Sequence, residues 1–347
     1  MSNQRKMLKS TVETDVCVIG AGPAGLFSVF ECGMLKMSCH VIDALDAIGG
    51  QLSALYPEKP IYDIPGFPSV LAADLVRDLE SQVLPFNPVY HLNQQVITLT
   101  TCENNRWFVE TTKGTRLNAG VVIIAAGVGS FGPNRPPLDD IESFEGKGPG
   151  LGVNYLVKRR EDFKNKKVVI AGGGDSAVDW ALSLVDIAER ISVVHRRKKF
   201  RAAPVNAEKL NKLSKDGIID LIIPFQLSGL ESENGELSAV SVVDLDGNYK
   251  RLDADVLLPF FGLSQKIGPI ADWGLNLDFN HIKVDQVTMS TDKPGIYGVG
   301  DIVTYPGKLK LIVNGFAEAA TAAHSARAHL HPDEEFHFEY STTKGIP

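Results

Sequence analysis

The stretch "DVCVIGAGPAGLFSVFECGM", Asp15–Met34, decides the fold. Asp15–Ile19 reads as a strand, Gly20, Gly22 and Gly25 follow as G-x-G-x-x-G, and the apolar residues beyond them take helical spacing. A second strand, "SCHVID", then ends on Asp43, 23 positions after Gly20. Each residue type has a physical job in such a βαβ unit. Gly20 permits the tight turn, Gly22 lets a pyrophosphate approach the backbone, and Gly25 lets helix and strand pack closely. The helix N-terminus supplies free N–H groups to the phosphates. Asp43 can accept hydrogen bonds from both ribose hydroxyls. A lone G-x-G-x-x-G is a weak signal. Flanked by strand, helix and a timely acid, it reads as a dinucleotide site.

The design recurs. In "VVIAGGGDSAVDWALSLV" a strand at Val168–Ala171 leads to Gly172, Gly173 and Gly174, then Asp175 and Ser176, with Ala177 as the small packing residue. Ala177, Ala181, Leu184, Val185 and Ala188 predict a helix with one buried stripe. The same 23-residue step from Gly172 lands on His195, within "HRRKKFR", beside Arg196 and Arg197 and ahead of Arg201. A carboxylate here would repel a 2′-phosphate, whereas arginine pairs with one. At about 1.5–3 kcal/mol per charge-assisted bond, two arginines separate NADPH from NADH by roughly two orders of magnitude or more. The bland alternative is a solvated basic loop. The acid therefore suits FAD, the arginines suit NADPH, and electrons can pass from nicotinamide to flavin.

The expected fold is α/β, with two Rossmann-like dinucleotide-binding domains (βαβ, three-layer ββα). "GVVIIAAGVGSFGPNRP" and "DADVLLPFFGLSQ" are apolar strands with glycine exits, suited to domain crossovers. They place an NADPH domain at residues 133–262, inserted in an FAD domain of residues 1–132 and 263–347. "GIYGVGDIVTYPGKLKLIVNGFAEAATAAHSARAHL" predicts a strand, Gly300-Asp301, a loop and a long Ala-rich helix.

Composition excludes other classes. With 347 residues, 44% of them hydrophobic, and net charge -7, the chain is ordinary globular material, and two domains are favoured over one. No apolar run approaches the ~18 residues of a membrane helix. The N-terminal "MSNQRKMLKSTVET" has no signal-peptide apolar region, so a soluble cytoplasmic protein is expected. The acidic pI, near 5.7, argues against general nucleic-acid binding. Cys17, Cys32, Cys39 and Cys102 form no CxxC and no metal-ligand spacing, and are expected as small buried hydrophobes in a reduced compartment. No metal site and no catalytic acid or base is predicted.

Taken in order, GxGxxG, GGQL, AAG, GGGDSA, HRRxxFRA and GD resemble the thioredoxin-reductase-like two-domain flavoproteins over nearly the whole chain. One departure matters. Thioredoxin reductases carry a redox CxxC just before the GGG unit, but here "GPGLGVNYLVKRREDFKNKKVVIAGGGDSA" contains no cysteine. A dithiol relay needs an attacking thiolate. The resemblance therefore narrows to the thioredoxin-reductase-like ferredoxin–NADP reductases, to which "GGQLSALYPEKPIYDIPGFP" (Gly49–Pro68) and the tail "YSTTKGIP" are also similar.

That resemblance implies FAD contacts from Asp43, Gln51, Tyr56, Val96, Phe131, Asp301 and Thr342, with Asp301 on the ribityl chain. It implies a ferredoxin or flavodoxin partner and a homodimer. On alternation Val96 is an ordinary strand residue, and on composition alone Tyr56 and Phe131 are core aromatics. Phe336, Phe338 and Tyr340 alternate with polar residues, so the tail is expected to dock; the resemblance implies where, with Tyr340 stacking near the flavin and Thr342 bonding it. The basic runs "KRREDFKNKK" and "HRRKKFR" could attract an acidic partner. Two alternatives share every nucleotide motif: an NADPH-dependent flavin oxidoreductase with a quinone or other small acceptor, and a non-catalytic redox sensor.

Overall fold

The computed structural model describes residues 11–334 and Gly345, apart from the side chains of Ser130, Phe131, Leu263, Ser264 and Gln265. The expectations for Tyr340 and Thr342 lie outside the described residues, as does that for the Phe131 side chain. Six α-helices are described: α1 (Pro23–Met34), α2 (Gln51–Leu55), α3 (Ala72–Val83), α4 (Asp175–Leu184), α5 (Pro204–Lys215) and α6 (Ile312–Leu330). The chain divides into two compact units, split after Phe131 and after Ser264. Both are Rossmann-like α/β units.

In the first unit the strand Val12–Ile19 lies between Cys39–Ile42 and Arg116–Ile124, all parallel. Val89–His91 extends one edge, and Ile296–Gly298 pairs parallel with the end of Arg116–Ile124. The other part of that long strand continues antiparallel into Trp107–Thr111 and Val96–Thr101. The run Val121–Ile124 alternates between two cores: Val121 and Ile123 face one, Val122 and Ile124 the other. A strand covered on both faces has no polar side to show, which explains the unbroken apolar run.

On one face α1 and α6 pack together through small residues. A Cβ at Gly315 would lie 3.2 Å from the Ala24 Cβ. Ala319, Ala322, Ala323 and Ala326 of α6 are buried. The alanines allow a closer approach than larger side chains would.

In the second unit a parallel sheet runs in the order Gly152–Val153, Val256–Pro259, Lys167–Ala171, Arg190–Val194, Ile219–Ile222. A three-stranded antiparallel sheet, Gln226–Glu233, Glu236–Val243 and Tyr249–Asp253, adds to its core. Here α4 ends at Leu184, before the predicted Ala188. Ala177, Ala181 and Leu184 are buried as expected, but Val185 and Ala188 are only partly so. The Arg160 side chain meets the helix at this end. Its Nε donates to the Ser183 carbonyl at 2.9 Å, and its guanidinium pairs with Asp186. A cation there satisfies one of the carbonyls the helix end leaves open.

Among the described residues no helix is long and apolar enough to cross a membrane, and no group of three or more His, Cys, Asp or Glu side chains is placed to hold a metal ion. Cys17, Cys32 and Cys39 are buried; Cys102 is half-buried, its Sγ donating to Asn118 Oδ1 at 3.2 Å.

Candidate functional site

The first unit holds a cavity of about 390 Å³ beyond the carboxyl ends of its parallel strands. Open α/β sheets bind ligands at that position, where neighbouring connections leave in opposite directions. The glycine loop forms one wall. A Cβ at Gly25 would lie only 1.9 Å from the Gly20 carbonyl oxygen, so nothing larger than glycine fits between loop and helix as they stand. Gly22 caps α1, whose first residue, Pro23, has no N–H to leave unsatisfied. The GGQ segment crosses this loop: the Gly49 N–H donates to the Ala21 carbonyl at 2.8 Å. A Cβ at Gly50 would lie 3.1 Å from the Gly22 Cα. Gln51 is thereby carried to the cavity wall, and Tyr56, at the end of α2, lies on the same wall.

Asp43 follows the second strand, as predicted. Its Oδ2 accepts from the Ala21 N–H at 2.6 Å and its Oδ1 from the Leu45 N–H at 2.8 Å. Burial pushes its carboxyl above the ordinary range, and these two backbone donors pull the other way. Each oxygen keeps acceptor capacity toward the cavity. Asp301 lines the cavity after Gly300, and its carboxylate has no hydrogen-bond or ion-pair partner among the described residues. Its charge is close enough to raise the Tyr56 phenol, behind the larger effect of burial. Asp301 and Tyr56, far apart in sequence, therefore share one site. Val96 is buried at the start of its strand with Ile19, Ile42, Ile270 and Trp273, and contributes to the lining.

Several lining residues carry no sequence motif. The Lys310 ammonium meets His281 Nε2 at 2.9 Å, just before the N-terminus of α6. Burial and then Lys310 push the His281 imidazole below its usual range, and since an ammonium only donates, His281 Nε2 is the acceptor in this contact. Trp273 Nε1 is buried without a partner at the cavity wall. The donor set fits FAD: a helix N-terminus with glycine access for pyrophosphate, acids at Asp43 and Asp301 for hydroxyls, an apolar corner around Val96, and an orphan indole N–H.

The second unit repeats the loop with one substitution. A Cβ at Gly172 would lie 2.9 Å from the Ala177 Cβ, the same close pairing of loop and helix. Gly174 caps α4 with open space beside it. Ser176 is exposed in the first turn. Asp175 is turned to another use, its Oδ1 accepting from the Ala203 N–H at 2.8 Å. The Arg201 N–H donates to the Gly173 carbonyl at 2.7 Å. The basic segment is thus stitched to the glycine loop at both its end and the helix start.

Arg196, Arg197 and Arg201 are exposed, without an ion-pair partner among the described residues. His195 is not one of the cations. It is 7% exposed, stacks on Phe200 at 5.4 Å between centroids, and sits where a Gly173 Cβ would come within 2.1 Å of its ring. Burial holds its imidazole below the usual range, with Arg201, Arg196 and Arg197 adding to that and a bond to the Lys199 backbone opposing it. His195 is a neutral support beneath the loop.

The run Lys158–Lys167 is partly consumed internally: Arg160 pairs with Asp186, and Lys164 with Glu161 at 2.9 Å.

Residues 14–326 match the pyridine nucleotide-disulphide oxidoreductase family. The chain is 61% identical over 335 residues to a ferredoxin–NADP reductase of Paramagnetospirillum magneticum, covering 96% of this chain and 98% of that protein. It is 59% identical over 345 residues to a ferredoxin–NADP reductase of Rhodospirillum rubrum, covering 98% and 99%. Among solved structures, thioredoxin reductase of Lactococcus lactis is similar with TM-score 0.75 at 21% identity, covering 92% of this chain and 99% of that one. Thioredoxin reductase of T. acidophilum gives 0.75 at 22%, covering 91% and 98%. At such identities the likeness to these two is one of fold.

Proposed function

The chain belongs to the pyridine nucleotide-disulphide oxidoreductase family, and on that premise we propose that it is a ferredoxin–NADP reductase, exchanging electrons between NADPH and ferredoxin or flavodoxin through FAD. The observation that carries the assignment of the two nucleotides is the contrast at one position. Past the second strand the first unit places Asp43, bonded into the glycine loop, and the second places exposed Arg196 and Arg197. A carboxylate favours ribose hydroxyls, and guanidinium favours a 2′-phosphate. We therefore assign FAD to residues 1–132 with 263–347, and NADPH to residues 133–262.

In the first unit Gly20, Gly22 and the N-terminus of α1 receive the pyrophosphate. Asp43 accepts from ribose hydroxyls, Val96 flanks the adenine, and Asp301 accepts from the ribityl chain. Gln51, Tyr56 and Phe131 complete the flavin surroundings. Lys310 and the N-terminus of α6 bring positive charge to the same cavity, which favours a cofactor that gains negative charge on reduction. In the second unit Gly172, Gly173, Gly174 and Ser176 bind the pyrophosphate at the start of α4. Arg196 and Arg197 hold the 2′-phosphate, with Arg201 beside them, while Asp175 keeps that segment in place. Bound FAD supplies the conversion between two-electron exchange with NADPH and one-electron exchange with ferredoxin. The binding residues orient the cofactors, and no side chain has to act as acid or base. With no cysteine pair ahead of the GGG loop, electrons leave the flavin without a dithiol. We take the working form to be a cytoplasmic homodimer.

The test is NADPH oxidation with ferredoxin, flavodoxin and a quinone side by side, on protein whose FAD content has been measured. The expected result is one FAD per chain and the highest efficiency with ferredoxin or flavodoxin. A chain that takes up no FAD, or that turns over only the quinone, refutes the proposal.

A further inference from the structure

The mechanism leaves one buried charge unexplained. Glu318 of α6 is 3% exposed. Its Oε2 accepts from the Gly300 N–H at 2.7 Å. Its Oε1 accepts from the Tyr305 hydroxyl at 2.7 Å and pairs with the Lys308 ammonium, itself 6% exposed. Lys308 also lies over the Tyr305 ring, 5.6 Å from its centroid.

A buried ion pair is a poor stabiliser. Desolvating both charges offsets most of their attraction, and apolar residues of similar volume often do as well or better. What such a cluster does offer is a fixed geometry, because every donor and acceptor must be satisfied at once. The geometry in question belongs to the cavity. Gly300 immediately precedes Asp301, and Lys308 immediately precedes the segment Leu309–Leu311 that leads into α6. Gly315, one turn before Glu318 on the same helix, lines the cavity with Asp301, Lys310 and Ile312. One carboxylate thus ties the Asp301 turn, the Lys310 segment and the α6 helix together.

We propose that Glu318, with Lys308 and Tyr305, is a positioning residue for FAD: it holds Asp301 and the start of α6 in the arrangement that the cofactor requires. This rests on the reading of the cavity as the FAD site. The separation of Asp301 from Lys310 is then set by the Glu318 carboxylate and not by packing alone. The consequence appears in cofactor affinity and in the flavin spectrum, which reports the polarity around the ring.

The experiment compares the full-length wild type with Glu318→Gln, Glu318→Gln combined with Lys308→Met, and Tyr305→Phe. Three quantities are read: the FAD dissociation constant by flavin fluorescence titration of deflavinated protein, the visible spectrum of bound flavin, and the melting temperature without FAD. Glu318→Gln should weaken FAD binding about tenfold or more, because Gly300 loses a charge-assisted bond. It should also melt earlier, since Lys308 is left buried and unpaired. The double variant removes that stranded cation, so its FAD-free melting temperature should recover while FAD affinity stays at least about fivefold below wild type, with an altered spectrum. A purely structural cluster would restore both together. A double variant within about twofold of wild type in affinity, with the wild-type spectrum, overturns the proposal. If the double variant does not fold, Tyr305→Phe decides, since it keeps the ring and removes one donor from Oε1. About threefold to tenfold weaker FAD binding supports the proposal, and unchanged affinity and spectrum overturn it. Failure of the wild type itself to bind FAD would refute the site assignment instead.

Discussion

Replacing Arg196 and Arg197 with alanine should remove most of the preference for NADPH over NADH. Both guanidinium groups are exposed and lack an acidic partner among the described residues, so no internal bond has to break before they meet a 2′-phosphate. Charge-assisted hydrogen bonds contribute about 1.5–3 kcal/mol each, and solvent exposure puts these at the low end. About 1.4 kcal/mol corresponds to tenfold, so each arginine is worth about tenfold in kcat/KM for NADPH and the pair about a hundredfold. Efficiency with NADH, which lacks the phosphate, should stay nearly constant.

The segment itself should survive the change, because its anchors are elsewhere. The Arg201 N–H reaches the Gly173 carbonyl at 2.7 Å, the Ala203 N–H reaches Asp175 at 2.8 Å, and Phe200 stacks on His195. Steady-state rates with an artificial electron acceptor give both efficiencies free of any ferredoxin effect. A double variant whose NADPH-to-NADH ratio stays within about threefold of wild type would refute the assignment.

Four further outcomes are expected. Gly25→Ala places a Cβ 1.9 Å from the Gly20 carbonyl, so loop and helix must separate by more than 1 Å; a loss of about 1–3 kcal/mol in urea unfolding, with reduced FAD content, should follow. Asp43→Ala removes the acceptor for the Ala21 and Leu45 N–H groups, and isothermal titration should find FAD binding weaker by about tenfold or more. Burial holds His40, His91, His195 and His281 below their usual range, so the unfolded chain binds more protons. Their contribution is present above the unfolded histidine value, near 6.5, starts to fall below it and is lost as pH drops through the lower folded values; FAD-free protein should melt lower at about pH 5.5 than at about pH 7.5, and equal melting would contradict this. Ferredoxin turnover in a stopped-flow assay should slow as salt rises from about 0.05 to 0.3 M, since exposed charges are screened over about 8–10 Å at physiological ionic strength.

What was legible in the sequence is what local constraints fix. The Gly20–Gly25 spacing is set by contacts within one turn and one helix start, and the step to Asp43 by the length of a single βαβ crossover, so both appear as spacing. Asp301 is visible for the same reason, as a turn between a strand and a helix. Side chains that meet across long separations leave no such mark. Lys310 and His281 are 29 residues apart, and Trp273 reaches the cavity from an irregular segment with no motif. The apolar stripe does not mark the C-terminal end of α4, because it continues past Leu184, while the cation that meets the Ser183 carbonyl, Arg160, comes from an earlier segment. Sequence alone groups His195 with its cationic neighbours, because composition cannot tell a buried imidazole from an exposed one. Its contact with Gly173 decides that, and Gly173 lies 22 positions upstream.

The two basic runs show how charge number misleads where pairing is ignored. Residues 158–167 and 195–201 look equally cationic as text. In the fold the first spends Arg160 on the Ser183 carbonyl and Asp186, and Lys164 on Glu161. Part of its charge is answered within the fold. The second keeps Arg196, Arg197 and Arg201 without an ion-pair partner among the described residues, while Asp175 accepts from the Ala203 N–H at 2.8 Å and Asp179 from Asn206 at 3.0 Å. The outcome is a cationic segment fixed in position beside a glycine loop, yet still open to an anion. An exposed pair with a carboxylate would have been worth little to stability, so leaving these arginines free costs the fold little and keeps them for the 2′-phosphate.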